Sequence, residues 1–86
     1  MEFEYDPAKS EINKAKHGLD FEEAQALWFD PDSVGFVAKS DDEARYAIIA
    51  TLKKKLWVAF YTPRENRIRI ISVRRARTNE RTLYES

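Results

Sequence analysis

Residues 45–75 read RYAIIATLKKKLWVAFYTPRENRIRIISVRR. Apolar and polar positions alternate with period two in three runs, Arg45–Leu52, Leu56–Thr62 and Arg67–Val73, all rich in β-branched and aromatic residues. The polar connections between them, Lys53–Lys55 and Pro63–Asn66, are too short for a crossover and predict antiparallel hairpins. A fourth run, Val34–Lys39, precedes them across the acidic turn Ser40–Glu43. Most of the chain therefore reads as one antiparallel sheet.

Upstream, Glu2–Tyr5 alternates as a short strand. Asp6-Pro7 then supplies an N-cap and a proline at the first helical position, where the missing N–H costs nothing. Ala8, Ile12 and Ala15 recur at helical spacing up to Gly18, which predicts a first helix with that stripe as its apolar face. Asp20 with Glu23 predicts a second helix opened by a capping box, with Phe21, Ala24, Leu27 and Trp28 facing inward and Asp30-Pro31 as its stop. Thr78–Glu85 predicts a last helix with Thr78 as its N-cap. The expected fold class is α+β: an antiparallel sheet with two N-terminal helices packed on one face and a short C-terminal helix.

The chain has 86 residues, one domain's worth, and at this size it buries only about two-thirds of its unfolded surface. Hydrophobic residues at 43% supply a core rather than a disordered tail. No cysteine is present, so disulfides and thiolate zinc sites are excluded, and a single histidine makes no metal site without carboxylates. No metal and no cofactor is expected. No apolar run approaches the ~20 residues of a membrane span, and Met1–Asp6 does not resemble a signal peptide. A cytoplasmic location is the expectation.

The net charge of zero conceals a division: residues 1–43 carry −8 and residues 44–86 carry +8. Six of the eleven bases in the second half are arginines within 64–77. A guanidinium is a permanently charged planar fork that matches phosphate oxygens, so this strand is a candidate phosphate-binding surface. The bland alternative is a solvated strand whose arginines pair with acids of the first half. Two registers of the last hairpin remain open. One sets Arg67 and Arg69 beside Trp57 and Tyr61, interleaving guanidiniums with aromatics as single-stranded nucleic acid requires. Pairing Thr62 with Arg67 instead sets Arg69 opposite Phe60. His17 ends the first helix, either as a charge partner for its C-terminus or as a general acid or base. There is no glycine-rich phosphate loop, no Ser or Cys nucleophile motif and no paired-histidine motif. Asp41-Asp42-Glu43 reads as a turn, and Trp28 and Phe29 as core or partner-facing residues.

Several motifs in order carry a resemblance. They are Phe3-x-Tyr5-Asp6-Pro7-x-Lys9, Asn13-x-x-Lys16-His17-Gly18, Phe21-Glu22-Glu23-Ala24 and Phe29-Asp30-Pro31. Glu43-x-Arg45, Tyr61-Thr62-x-Arg64, Arg67-Ile-Arg69-Ile-Ile-Ser72-x-Arg74-Arg75-Ala76 and Glu80-Arg81-x-x-Tyr84-Glu85 follow. Together they resemble the BrnT family of toxins over nearly the whole chain. The run Lys53-Lys54-Lys55 departs from the glycine or serine turns common at that place. The resemblance implies a RelE-like fold and an endoribonuclease that inhibits translation by metal-independent 2′-hydroxyl attack. It also implies a type II toxin–antitoxin pair with a BrnA-like DNA-binding antitoxin, in a complex, expected to be a heterotetramer, that binds operator DNA. On that basis Arg64, Arg74 and Arg75 are the expected phosphate clamps and transition-state stabilisers, with His17 and Tyr84 as acid/base candidates. Lys16, Arg45, Arg67, Arg69 and Arg77 are the expected RNA contacts, and Glu43 is a weaker candidate. Loss of Arg74 is expected to abolish cleavage while leaving the melting temperature near that of wild type. The competing reading is a non-catalytic nucleic-acid-binding or protein-interaction module using the same basic half.

Overall fold

The computed structural model describes residues 1–38 and 43–86. The strands are β1 (Glu2–Glu4), β2 (Val34–Ala38), β3 (Arg45–Leu52), β4 (Lys55–Arg64) and β5 (Arg67–Arg75). They form one sheet in the order β1-β5-β4-β3-β2, antiparallel except for the parallel pair β1–β5. Helix α1 (Pro7–His17) and a 3₁₀ helix (Glu23–Phe29) follow β1, and α2 (Thr78–Glu85) closes the chain. The acidic turn expected at Ser40–Glu43 lies, apart from Glu43, outside the described residues.

Helix α1 begins and ends as its sequence requires. The Asp6 carboxylate accepts from the Ala8 amide at 2.9 Å, Pro7 opens the first turn, and Gly18 closes it at φ 89°. Its buried face is not the expected one. Ile12 is 64% exposed, and Ala8 and Ala15 also face solvent, whereas Ser10 and Asn13 are buried. The cause is the helix's place beside β5, beyond the end of the three-residue β1, where backbone groups lack sheet partners. The Asn13 side chain accepts from the Val73 amide at 3.1 Å and donates to the Leu19 carbonyl at 2.7 Å, while Ser10 Oγ accepts from the Phe21 amide at 2.9 Å. Polar side chains point inward because an unpaired buried amide or carbonyl costs more than an exposed isoleucine.

The second expected helix is a correction: there is one N-terminal α-helix, followed by seven residues of 3₁₀ helix. The capping box does form, Glu23 N to Asp20 Oδ1 at 2.7 Å and Asp20 N to Glu23 Oε1 at 3.0 Å. The buried positions Phe21, Ala24 and Leu27, however, recur every three residues. A 3₁₀ helix has three residues per turn, so this spacing stacks all three against the sheet in one row.

Both faces of the sheet are covered in part. Phe21, Ala24 and Leu27 pack with Ile48, Ala50, Trp57, Ala59, Ile70 and Val73 on the first face. On the second face, Ala76 and Tyr84 pack against Ala47, Ile49, Leu56 and Val58. Between β4 and β5 the register shifts: Phe60 faces Ser72 and Tyr61 faces Ile70, leaving Ile71 as an extra residue. This bulge changes the alternation, so Arg67 and Arg69 stand on the same face as Ser72 and Arg74. Thr62 pairs with Arg69, so Arg67 and Arg69 lie on the Phe60 face and not beside Trp57 and Tyr61.

Candidate functional site

The expected site residues divide among three places. At the β4–β5 hairpin, Arg64 pairs across the strands with Arg67 and approaches Glu43 at 3.6 Å. Arg67 and Arg69 meet Glu2 and Glu4 of β1 at 3.4 and 2.9 Å. These acids and bases come from opposite halves of the chain, so part of the charge division is spent within the fold as surface pairs of small energetic value. Arg45, at the start of β3, is exposed.

At the opposite end of the hairpin Arg74 is held on every side. Its guanidinium forms a two-pronged bond to Glu80, 2.8 and 2.7 Å, donates to the Arg75 carbonyl at 3.1 Å, and lies 5.2 Å from the Phe60 ring centre. Glu80 is 6% exposed and also accepts from the Arg77 amide at 2.8 Å, so Arg77, not Thr78, is the N-cap residue of α2. The Arg74 guanidinium, then burial opposing it, leaves the Glu80 carboxyl below the ordinary glutamate value. Arg74 thus ties β5 to the first turn of α2. Arg64 sits opposite Arg67, six residues further along β4 than the partner of Arg74, which separates the two arginines by about 20 Å. They do not meet on one phosphate. Arg75 points to the other face, where its guanidinium lies over Trp57 at 5.6 Å.

Tyr84 is also engaged. Its hydroxyl donates to Asp30 Oδ2 at 2.7 Å and accepts from Thr51 Oγ1 at 3.0 Å, fastening α2 to β3 and to the end of the 3₁₀ helix. The Thr51 bond pulls its phenol down, but the Asp30 carboxylate and burial outweigh it and hold the phenol above the ordinary tyrosine value.

The third place is a cleft of about 210 Å³ between α1 and β5. It brings together His17 and Lys16, with Lys9 two turns earlier on the same helix face as Lys16, and Ser72 from β5. Ile12, Asn13, Phe21 and Ile71 line the remainder. The bulge is what presents Ile71 and Ser72 together here: without the extra residue only one of two neighbours would face the helix. Lys9 and Ser72 were not among the expected site residues. The seven-residue spacing from Lys9 to Lys16 was the available signal, because it puts both ammonium groups on one helix face with Ile12 and Asn13 between them.

Chemically, the cleft offers two exposed ammonium groups, an imidazole and a hydroxyl beside apolar side chains. That combination suits a phosphate held beside a flat, partly apolar group such as a nucleobase. Among the described residues, no group of three His, Asp or Glu side chains is disposed to hold a metal ion, and no helix is long and apolar enough to cross a membrane.

The structure defines a small α+β domain with a basic cleft between its first helix and last strand, a surface whose charge suits an anion such as phosphate. Comparison with protein families makes this specific: residues 5–80 match the family described as ribonuclease toxin, BrnT, of type II toxin–antitoxin system. The match spans most of the chain, and the chain belongs to that family. Comparison with curated proteins found no significant match.

Proposed function

We propose that this chain is an endoribonuclease whose reacting centre is the α1–β5 cleft. The observation that carries the reading is the convergence of His17, Lys16 and Lys9 on one side of the cleft, with Ser72 opposite. The family membership supports the substrate class. In the proposed reaction the ribose 2′-oxygen bonds to the adjacent phosphorus as the bond to the 5′-oxygen breaks. His17 takes up the 2′-hydroxyl proton, and the Lys16 ammonium gives one to the departing 5′-oxygen. Lys9 offsets the charge growing on the phosphoryl oxygens. The products are a 2′,3′-cyclic phosphate and a 5′-hydroxyl end.

Arg75 and Arg77 lie three and five residues along the chain from Ser72, with no carboxylate partner among the described ion pairs. They hold flanking phosphates in this reading, while Arg45, Arg64, Arg67 and Arg69 extend the track at the far end of the sheet. Arg74 and Tyr84 are positioning residues, fixing α2 and the end of β5 rather than touching RNA. A BrnA-like antitoxin with its own DNA-binding region completes the pair, on the strength of the family alone, and the fold is RelE-like in the same sense.

The test is incubation of the chain with end-labelled RNA, free in EDTA and separately on purified ribosomes in magnesium buffer, beside the same RNA carrying 2′-deoxyribose at the cut position. The account predicts fragments with cyclic phosphate ends, abolished by the deoxy substitution. RNA bound but intact under every condition would instead favour a binding module.

A further inference from the structure

Single large apolar side chains on a surface are ordinary, and their neighbours decide whether they carry a role. Five stand exposed among the described residues: Met1, Ile12, Phe29, Val37 and Leu83. Of these, Ile12 alone lines the α1–β5 cleft. It is 64% exposed and follows Lys9 by three residues and precedes Lys16 by four, which places it between the two lysines on one helix face. Ile71 lines the same cleft from β5, half-buried, at the extra residue of the bulge. Phe21, 1% exposed, meets Tyr5 edge-on at 5.8 Å and completes the apolar lining.

Size and polarity narrow what fits there. An apolar cavity of ~150 Å³ accommodates benzene, so about 210 Å³ takes one flat ring system somewhat larger than benzene. Reading one particular base requires a donor and an acceptor aimed at its edge. Asn13, the one side-chain amide of the lining, has its Oδ1 on the Val73 amide at 3.1 Å and its Nδ2 on the Leu19 carbonyl at 2.7 Å. With that amide committed inside the fold, apolar contact area is what discriminates between rings.

Charge decides what the ring is attached to. Neither Lys9 nor Lys16 is in a described ion pair, and both are exposed. An apolar molecule would leave both ammonium groups unanswered, and a bare phosphate would leave Ile12 in water. A nucleotide answers both at once.

We infer that Ile12 and Ile71 form a slot for the base of the nucleotide whose phosphate Lys9 and Lys16 hold, and that this slot prefers a purine to a pyrimidine by contact area. The inference rests on the reading of this cleft as the site for RNA and adds which part of the nucleotide it selects.

The test titrates the full chain with adenosine 5′-monophosphate, uridine 5′-monophosphate and ribose 5-phosphate, followed by the isoleucine methyl signals. Adenosine monophosphate is expected to bind about threefold more tightly than the uridine nucleotide and about tenfold more tightly than ribose 5-phosphate, moving the Ile12 and Ile71 methyls. Ile12→Ser, at an exposed position, should bring adenosine monophosphate to the affinity of ribose 5-phosphate and leave the latter unchanged, while Ile12→Leu should keep the preference. Equal affinity for the three ligands, signals moving only at other isoleucines, no binding of any ligand, or equal loss of all three in Ile12→Ser would each overturn the inference. RNA cleavage by the same preparations separates it from the reading beneath it. A purine preference without cleavage upholds the slot and counts against the ribonuclease, and cleavage without a purine preference does the reverse.

Discussion

Arg74 and Glu80 show how a residue's partners settle what its type leaves open. An arginine at this place in a basic strand reads as a phosphate ligand, yet both prongs of its fork are on a carboxylate that is 7% exposed. Removing the guanidinium would leave that carboxylate away from water with the Arg77 amide as its remaining described partner. Arg74→Ala should therefore cost about 2–4 kcal/mol in urea unfolding, contrary to the expectation that its melting temperature stays near wild type. Replacing Arg74 and Glu80 together by leucine should recover part of that loss, because no uncompensated charge remains although the Arg77 amide loses its acceptor. If Arg74→Ala instead unfolds like wild type, the pair is not the tie between β5 and α2. The type of Arg74 was legible in the sequence; its partner was not, because the pairing depends on where α2 turns back across the sheet. His17 and Lys16 were legible as neighbours at a helix end, but their meeting with Ser72 required knowing which edge α1 covers.

At the scale of elements, strand and helix positions followed from periodicity, and their faces did not. The shift of apolar phase from Ile68 and Ile70 to Val73, with Ile71 between, is the trace of the β5 bulge. Read as a continuous alternation, the same residues put Arg69 and Arg74 on opposite faces. Likewise the i, i+3 spacing of Phe21, Ala24 and Leu27 fits both an α-helix and the observed 3₁₀ turn, and the short run before Asp30-Pro31 decides it. The inward-facing Ser10 and Asn13 escaped a hydrophobicity reading because they answer backbone groups that no pattern displays. The β3–β4 turn carries a cost of its own. Lys53 and Lys54 occupy φ 54° and 66°, in the left-handed region that asparagine and glycine adopt more readily. Lys54→Gly should raise stability by about 1 kcal/mol in thermal unfolding. A decrease would mean that the lysine side chain, not the turn geometry, governs this hairpin.

Across the whole molecule, acids of the first half hold elements together and are the source of its pH dependence. The Asp20 amide, then Lys14 and Lys53, lowers the Glu23 carboxyl from an ordinary 4.5 to about 2. Burial pushes the Asp30 carboxyl up, but the Thr51 amide, the Tyr84 hydroxyl and the Asp32 amide outweigh it, and Asp30 also lies below its ordinary value. A carboxyl lowered on folding contributes stability above its unfolded value and loses it as pH falls toward the folded one. Melting temperature should thus hold down to about pH 4.5 and fall from there toward pH 2, more shallowly in Glu23→Gln; a variant with an unchanged acid limb would remove Glu23 from this role. The same acids leave the α1–β5 cleft to Lys9, Lys16 and His17, none of which is in a described ion pair. The central claim is that this cleft, rather than the arginine strand as a whole, carries the chemistry. The most direct test is the single-turnover rate of RNA cleavage by His17→Ala at saturating RNA, beside Arg64→Ala and a melting curve for each. The account predicts a rate about 100-fold or more below wild type for His17→Ala, with RNA affinity and melting temperature retained, and weaker binding with little change in rate for Arg64→Ala. Cleavage at the wild-type rate by His17→Ala, with the loss falling on Arg64→Ala, would contradict it.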